Sequence, residues 1–296
     1  MSLLVIDNVS KRYGEVRALD GVSLQIAAGE RVAFVGSNGS GKTTLMRSAL
    51  GLLACEGHVR IAGVDVRQNP QEALRHVAYI PQVAPPLDAS VQDLVRTTCQ
   101  LRGQLPQRVA ELAGVLGVDY ARVARSRLRD LSGGTKQKIL AAMALAVDAQ
   151  ILVADEPTAN LDTQARHAFF ALVAARPADA VLILCSHRTS EVRQLVNRVV
   201  ELREGKLIGD AQLDDVVRDR AVCRIEVVPA SDAALLPLQS LGFSAVTDDL
   251  WQRTCTPGQK LDLISELMTH RAAIDDMRVL DVDAWQPTTA QPQTVE

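Results

Sequence analysis

The sequence predicts an α/β protein organised around a largely parallel central sheet, followed by a small α+β domain. Three near-continuous apolar runs, ERVAFVG (residues 30–36), QILVAD (150–155) and AVLILCS (180–186), read as strands covered on both faces. Each opens directly into a polar motif, so ligand chemistry belongs at the carboxyl ends of the strands. From Leu3 to about Asp210, β-rich runs alternate with helical segments.

Between Ser90 and Asp130 the pattern turns helical, with Pro106 and Gly117 as punctuation, and reads as an inserted helical lobe over about 85–135. After Gly209 the motifs stop. The succession Val222–Val228, Ser231–Leu241, Phe243–Val246, Leu250–Cys255, Gly258–His270 and Met277–Val282 gives β-α-β-β-α-β, an order that suits a ferredoxin-like module. The expected organisation is therefore a first domain over 1–215, a small α+β domain over 216–284, and a polar, proline-containing disordered tail over 285–296.

The 296 residues are 47% hydrophobic and 23% charged, enough for one large core and a smaller second one. A net charge of −3 supplies no cationic field for nonspecific nucleic-acid binding, so nucleic acid is not an expected partner. The five cysteines are scattered and contain no C-x-x-C pair, which describes neither a disulfide framework nor a zinc site and fits a reducing cytosol. The longest apolar run, Ile139 to Val147, falls well short of the roughly 18 residues of a membrane span. If a membrane is involved, another polypeptide crosses it.

Gly36-Ser37-Asn38-Gly39-Ser40-Gly41-Lys42-Thr43-Thr44 follows the first buried strand and precedes a helix-compatible run. Glycines let the backbone curl so that amides converge on phosphate oxygens, and the helix amino terminus adds partial positive charge. Lys42 is placed to reach β- and γ-phosphates and Thr43 to ligate Mg²⁺. Downstream, Asp155 and Glu156 close the second buried strand. Asp155 can hold the metal through water, and Glu156 sits where a base could polarise an attacking water. Taken alone, the pair could equally be a solvated strand end.

Leu131-Ser132-Gly133-Gly134-Thr135 resembles the LSGGQ signature of ATP-binding-cassette (ABC) ATPases, and other landmarks of that family surround it in order. Tyr13 looks like the aromatic that stacks on adenine, and Gln82 like the Q-loop glutamine, a nucleotide and Mg²⁺ contact. Asn160-Leu161-Asp162 looks like the D-loop, and His187 like the switch histidine that contacts the γ-phosphate. The resemblance covers about residues 3–210 and departs from the pattern at Thr135, where glutamine is usual, and at Ala154, where a larger aliphatic is common. Away from this context His187 would read as an ordinary structural histidine and Tyr13 as a surface aromatic.

The resemblance implies ATP and Mg²⁺ as cofactors, with Lys42, Glu156 and His187 catalytic. Two cassettes face head to tail, so that Ser132, Gly133, Gly134 and Asp162 serve a nucleotide shared with a second copy. It further implies separate transmembrane permease subunits, and thus a place at the cytoplasmic face of the membrane. The stretches 90–103, 131–138, 155–173 and 186–209 look most like ABC-2-type exporter ATPases. A narrower resemblance is to the ATPase partner of copper-processing machinery for nitrous-oxide reductase maturation; the competing class is a permease-free ABC ATPase. In a ferredoxin-like order Cys223 would lie near Cys255, either as two small buried hydrophobes or as a thiol or Cu(I) site.

Overall fold

The computed structural model describes residues 2–186, 188–220, 222–231, 234–247 and 249–282. The expected disordered tail and His187 lie outside the described residues. The chain divides into two units, residues 2–211 and 212–282.

The first unit opens with two long strands, β1 (Ser2–Tyr13) and β2 (Val16–Ala27), paired antiparallel. With β4 (Glu56–Ile61) and β5 (Val64–Asp65) they form a four-stranded antiparallel sheet in the order β2-β1-β4-β5. The sequence pattern did not separate this sheet from the central one. Its strands alternate buried and exposed residues, as a sheet with one solvated face must.

The central sheet has the order β10-β9-β3-β8-β7-β6, from β3 (Arg31–Val35), β6 (Val77–Ile80), β7 (Ile151–Asp155), β8 (Val181–Cys185), β9 (Arg198–Arg203) and β10 (Lys206–Gln212). The β9-β3-β8-β7-β6 neighbours run parallel. Every residue of β7 and β8 is buried, the physical counterpart of their unbroken apolar sequences. Helices α1 (Lys42–Ala49), α2 (Pro70–Arg75), α6 (Gly133–Ala146), α7 (Thr163–Ala174) and α8 (Thr189–Leu195) connect the strands. Between β6 and α6 come the lobe helices α3 (Val91–Arg102), α4 (Pro106–Val115) and α5 (Tyr120–Val123). Ser90 caps α3 by accepting from the Asp93 amide, Gly103 ends it in the left-handed region, Pro106 starts α4, and Gly117, at φ 78°, follows the end of α4.

The second unit begins at residue 212, before the boundary expected between 215 and 216, and takes in all of α9 (Leu213–Arg220). It continues β11 (Val222–Pro229), α10 (Leu235–Ser240), β12 (Ser244–Thr247), β13 (Leu250–Cys255), α11 (Pro257–Thr269) and β14 (Ile274–Val282). Its sheet order, β12-β13-β11-β14, is the ferredoxin-like one, with the first strand between the third and the fourth. Register places Cys223 directly opposite Cys255. Both are buried in a core built with Ile225, Val227, Leu238, Phe243, Trp251, Leu263 and Leu267, and neither is in a disulfide.

Candidate active site

Four neighbouring parallel strands, in the order β3-β8-β7-β6, deliver four polar segments to one edge of the sheet. The phosphate-binding loop follows β3, Ser186 follows β8, Glu156 follows β7 and Gln82 follows β6. Parallel strands with crossover helices have all their carboxyl ends on one side, so residues far apart in sequence meet there.

The loop from Gly36 to Gly41 turns sharply before α1. A Cβ on Gly36, whose φ is 144°, would stand 2.2 Å from the Leu202 carbonyl oxygen and 2.7 Å from Ser40 Oγ. Only glycine fits that approach. Ser37, Asn38 and Gly39 are exposed, while Ser40 is buried and Thr43 and Thr44 are half-buried at the start of α1. The Lys42 ammonium lies over the loop, donating to the carbonyls of Gly36 at 2.8 Å and Ser37 at 3.0 Å.

Asp155, the last residue of β7, is buried. Desolvation pushes its carboxyl up from the ordinary carboxylate range, the Thr43 hydroxyl hydrogen bond pulls it back, and the Glu156 charge raises it further. Its Oδ2 is buried without a hydrogen-bond partner. A buried, unsatisfied anionic oxygen beside a hydroxyl is costly alone and suits a hard cation. The Thr43 and Asp155 donor set therefore fits Mg²⁺.

Glu156 adopts φ 47°, in the left-handed region, and its amide donates to the Cys185 carbonyl at 2.8 Å. Non-glycine residues in that region carry strain, and such strain gathers at functional sites. Beyond Glu156, two buried polar side chains that the sequence reading did not single out hold the chain. Gln137 of α6 donates to the carbonyls of Pro157 at 3.2 Å and Pro81 at 3.4 Å, tying the segment after Glu156 to the one before Gln82. Glu191 of α8 accepts from Thr158 and Ser186. No local pattern marks these residues as buried: Gln137 sits in a polar-looking stretch, TKQK, and Glu191 beside Arg188 and Arg193.

Tyr13 ends β1 about half-exposed, with the Lys11 ammonium 5.2 Å from its ring centre. Gln82 is exposed. Ser132 caps α6, its Oγ accepting from the Thr135 amide at 3.2 Å and lying 2.8 Å from Thr135 Oγ1, so threonine supplies a local hydroxyl partner. Gly133 and Gly134 form the first turn, where a Cβ on Gly134 would come 2.8 Å from the Asn160 carbonyl oxygen. Asp162 is committed twice. Its Oδ1 caps α7 through the Ala165 amide at 2.8 Å, and its Oδ2 pairs with Lys138 at 2.6 Å, which holds the carboxyl below its usual range.

The family model described as ABC transporter matches residues 19–159, spanning the phosphate loop, the signature turn and the Asp155-Glu156 pair. A Nod factor export ATP-binding protein I of Cupriavidus metallidurans is 31% identical over 246 residues, which cover 80% of each chain. The chain belongs to the ABC transporter ATP-binding proteins. A sulfate/thiosulfate import ATP-binding protein of Nocardia farcinica is 34% identical to this cassette over 223 residues, 72% of this chain and 66% of that one. A solved ATP-binding subunit of an ABC transporter superposes with a TM-score of 0.67 at 25% identity, covering 73% of this chain and 92% of that chain. The cassette is an ATPase that binds ATP and serves as the motor of a transporter. Among the described residues no helix is long and apolar enough to cross a membrane.

Proposed function

We propose that this ATPase is the motor of an exporter whose transmembrane subunits are separate chains, and that it hydrolyses ATP at an interface shared by two cassettes. The observation that carries the catalytic part is Asp155, buried beside Thr43 with an unsatisfied oxygen next to the strained Glu156. In this reading Tyr13 stacks on adenine, while the amides of Gly36, Ser37, Asn38, Gly39, Ser40 and Gly41 and the side chains of Lys42 and Thr44 hold the phosphates. Thr43, Asp155 and Gln82 would hold Mg²⁺, which would supply charge that neutralises the phosphates.

The Glu156 carboxylate takes a proton from the water that attacks the γ-phosphorus as the bond to ADP breaks. His187 is assigned to the γ-phosphate on sequence grounds.

The shared interface is supported by the second helix amino terminus. Ser132, Gly133 and Gly134 open the 14-residue α6, while α1 already offers its own amino terminus to the phosphates of the same chain. A head-to-tail partner would use both. Asp162, fixed by Lys138, then shapes the segment that faces the partner. Export is supported by the exporter-like stretches and the Nod factor export relatives.

The test of the shared interface is ATP-dependent association of Glu156→Gln, followed by light scattering, with and without Ser132→Arg. Association that ignores Ser132→Arg would sink it. Copurification from membranes tests the permease assignment, and retrieval of the chain with no multispanning partner would favour a permease-free ATPase.

The second unit is assigned no chemistry. Its buried Cys223 and Cys255 stand in an apolar core, which supports a packing role.

A further inference from the structure

We infer that Glu191 is a positioning residue for hydrolysis, a buried carboxylate that joins the segment after Glu156 to the exit of β8 and so fixes the backbone of the proposed base. The inference rests on Glu156 being that base.

Thr158 and Ser186 lie at the exits of neighbouring strands β7 and β8. Glu191 spans them with one oxygen each: Oε1 accepts from Thr158 Oγ1, and Oε2 accepts from Ser186 Oγ at 2.9 Å. Ser186 Oγ in turn accepts from the Arg188 amide at 3.1 Å. Relative exposures of 1% for Thr158, 2% for Ser186 and 1% for Glu191 mean that water does not substitute for any of these bonds. Arg188 Nε stands 3.7 Å from Oε1 and balances the charge.

A buried carboxylate is an expensive way to fill space, since an apolar side chain of similar volume would pack without the desolvation cost. What it supplies instead is a fixed, two-sided geometry. That geometry is needed here because Glu156 stands at φ 47°, a conformation that persists only where the surroundings over-determine it. The Glu156 amide is fixed to Cys185, and Gln137 fixes Pro157 from the α6 side. Glu191 supplies the next anchor through Thr158, from the α8 side. Release of that anchor lets the carboxylate drift from the line of attack while the phosphate loop, on a different strand, stays in place.

The experiment uses the full chain and measures turnover, nucleotide affinity by direct titration, and melting. Thr158→Val keeps the side-chain shape and removes the donor, Thr158→Ser keeps the donor, and Glu191→Ala removes the bridge. Thr158→Val and Glu191→Ala should lower kcat about 10- to 100-fold, with nucleotide affinity changed less than about 3-fold. Thr158→Ser should recover most of the rate. The deciding readout is a double-mutant cycle: Glu156→Gln should cost clearly less in the Thr158→Val background, because the base is already misplaced there.

Additive costs, unchanged kcat in folded Thr158→Val, or affinity falling in step with rate would overturn the positioning role. Should Glu191→Ala fail to fold, the two Thr158 variants still decide. Near-normal hydrolysis by Glu156→Gln alone would instead overturn the base assignment, and the bridge with it.

Discussion

The two units of this chain treat buried polarity in opposite ways. In the cassette, Gln137, Thr158, Ser186 and Glu191 are buried at the carboxyl end of the central sheet, tied to one another or to backbone carbonyls across strands, and buried Asp155 stands beside the Thr43 hydroxyl. Among the described residues of the second unit the buried core is apolar, from Cys223 and Ile225 on β11 to Leu263 and Leu267 on α11. Both arrangements exclude water, but a purely apolar core tolerates repacking, whereas a hydrogen-bonded one fixes positions. A region that has to hold a carboxylate, a hydroxyl and a lysine around a phosphate carries the desolvation cost. A region that has only to stay folded does not.

Three substitutions and one truncation sharpen that contrast. The largest effect is expected for Glu156→Gln, which should lower hydrolysis about 10²- to 10⁴-fold while ATP still binds, because glutamine keeps the shape but cannot accept the proton. Phosphate release alongside a binding titration checks this, and parallel loss of both would move Glu156 from chemistry to binding. Lys42→Ala should weaken ATP binding about 10- to 100-fold, the equivalent of losing a charged hydrogen bond. It also removes the ammonium that spans the Gly36 and Ser37 carbonyls, so the loop should become more protease-sensitive.

On the other side of the comparison, Cys255→Ser places a hydroxyl in an apolar core. It should cost about 1–3 kcal/mol of the second unit's stability and leave ATP turnover unchanged. Denaturant unfolding followed at Trp251, which stands in that core, reads the first effect and a phosphate assay the second; a drop in turnover would mean that the second unit reports to the active site. The smallest effect is expected from removing residues 212–296, which should shift nucleotide affinity by less than about 2-fold if the cassette folds alone. Loss of binding by a folded truncation would erase the division of labour.

Much of the cassette was legible in the sequence because its motifs are local. The phosphate loop needs glycines, a lysine and a hydroxyl in consecutive positions between a strand and a helix, and each requirement falls within a dozen residues. Buried parallel strands announce themselves as apolar runs, and the β-α-β-β-α-β succession suits the second unit's sheet order, which makes the Cys223 and Cys255 strands neighbours; that the two cysteines pair directly opposite is a matter of register, which the structure supplies. The antiparallel sheet of β1, β2, β4 and β5 was not separable, since alternation identifies a half-buried strand without naming its neighbours.

What only the tertiary structure decided is which polar residues are inside. Glu191, 35 positions from Glu156 in a helix with charged neighbours, and Gln137 in TKQK carry no sequence mark of burial. Their position depends on the order β3-β8-β7-β6, which brings distant strand exits together within reach of one side chain from α6 and one from α8. The sequence by itself determined the chemical groups and the backbone that presents them to phosphate, because those are short-range properties. The left-handed Glu156, the unsatisfied Asp155 oxygen and the side chains that brace them follow from long-range packing, where desolvation and hydrogen-bond partners are set by elements far apart in the chain.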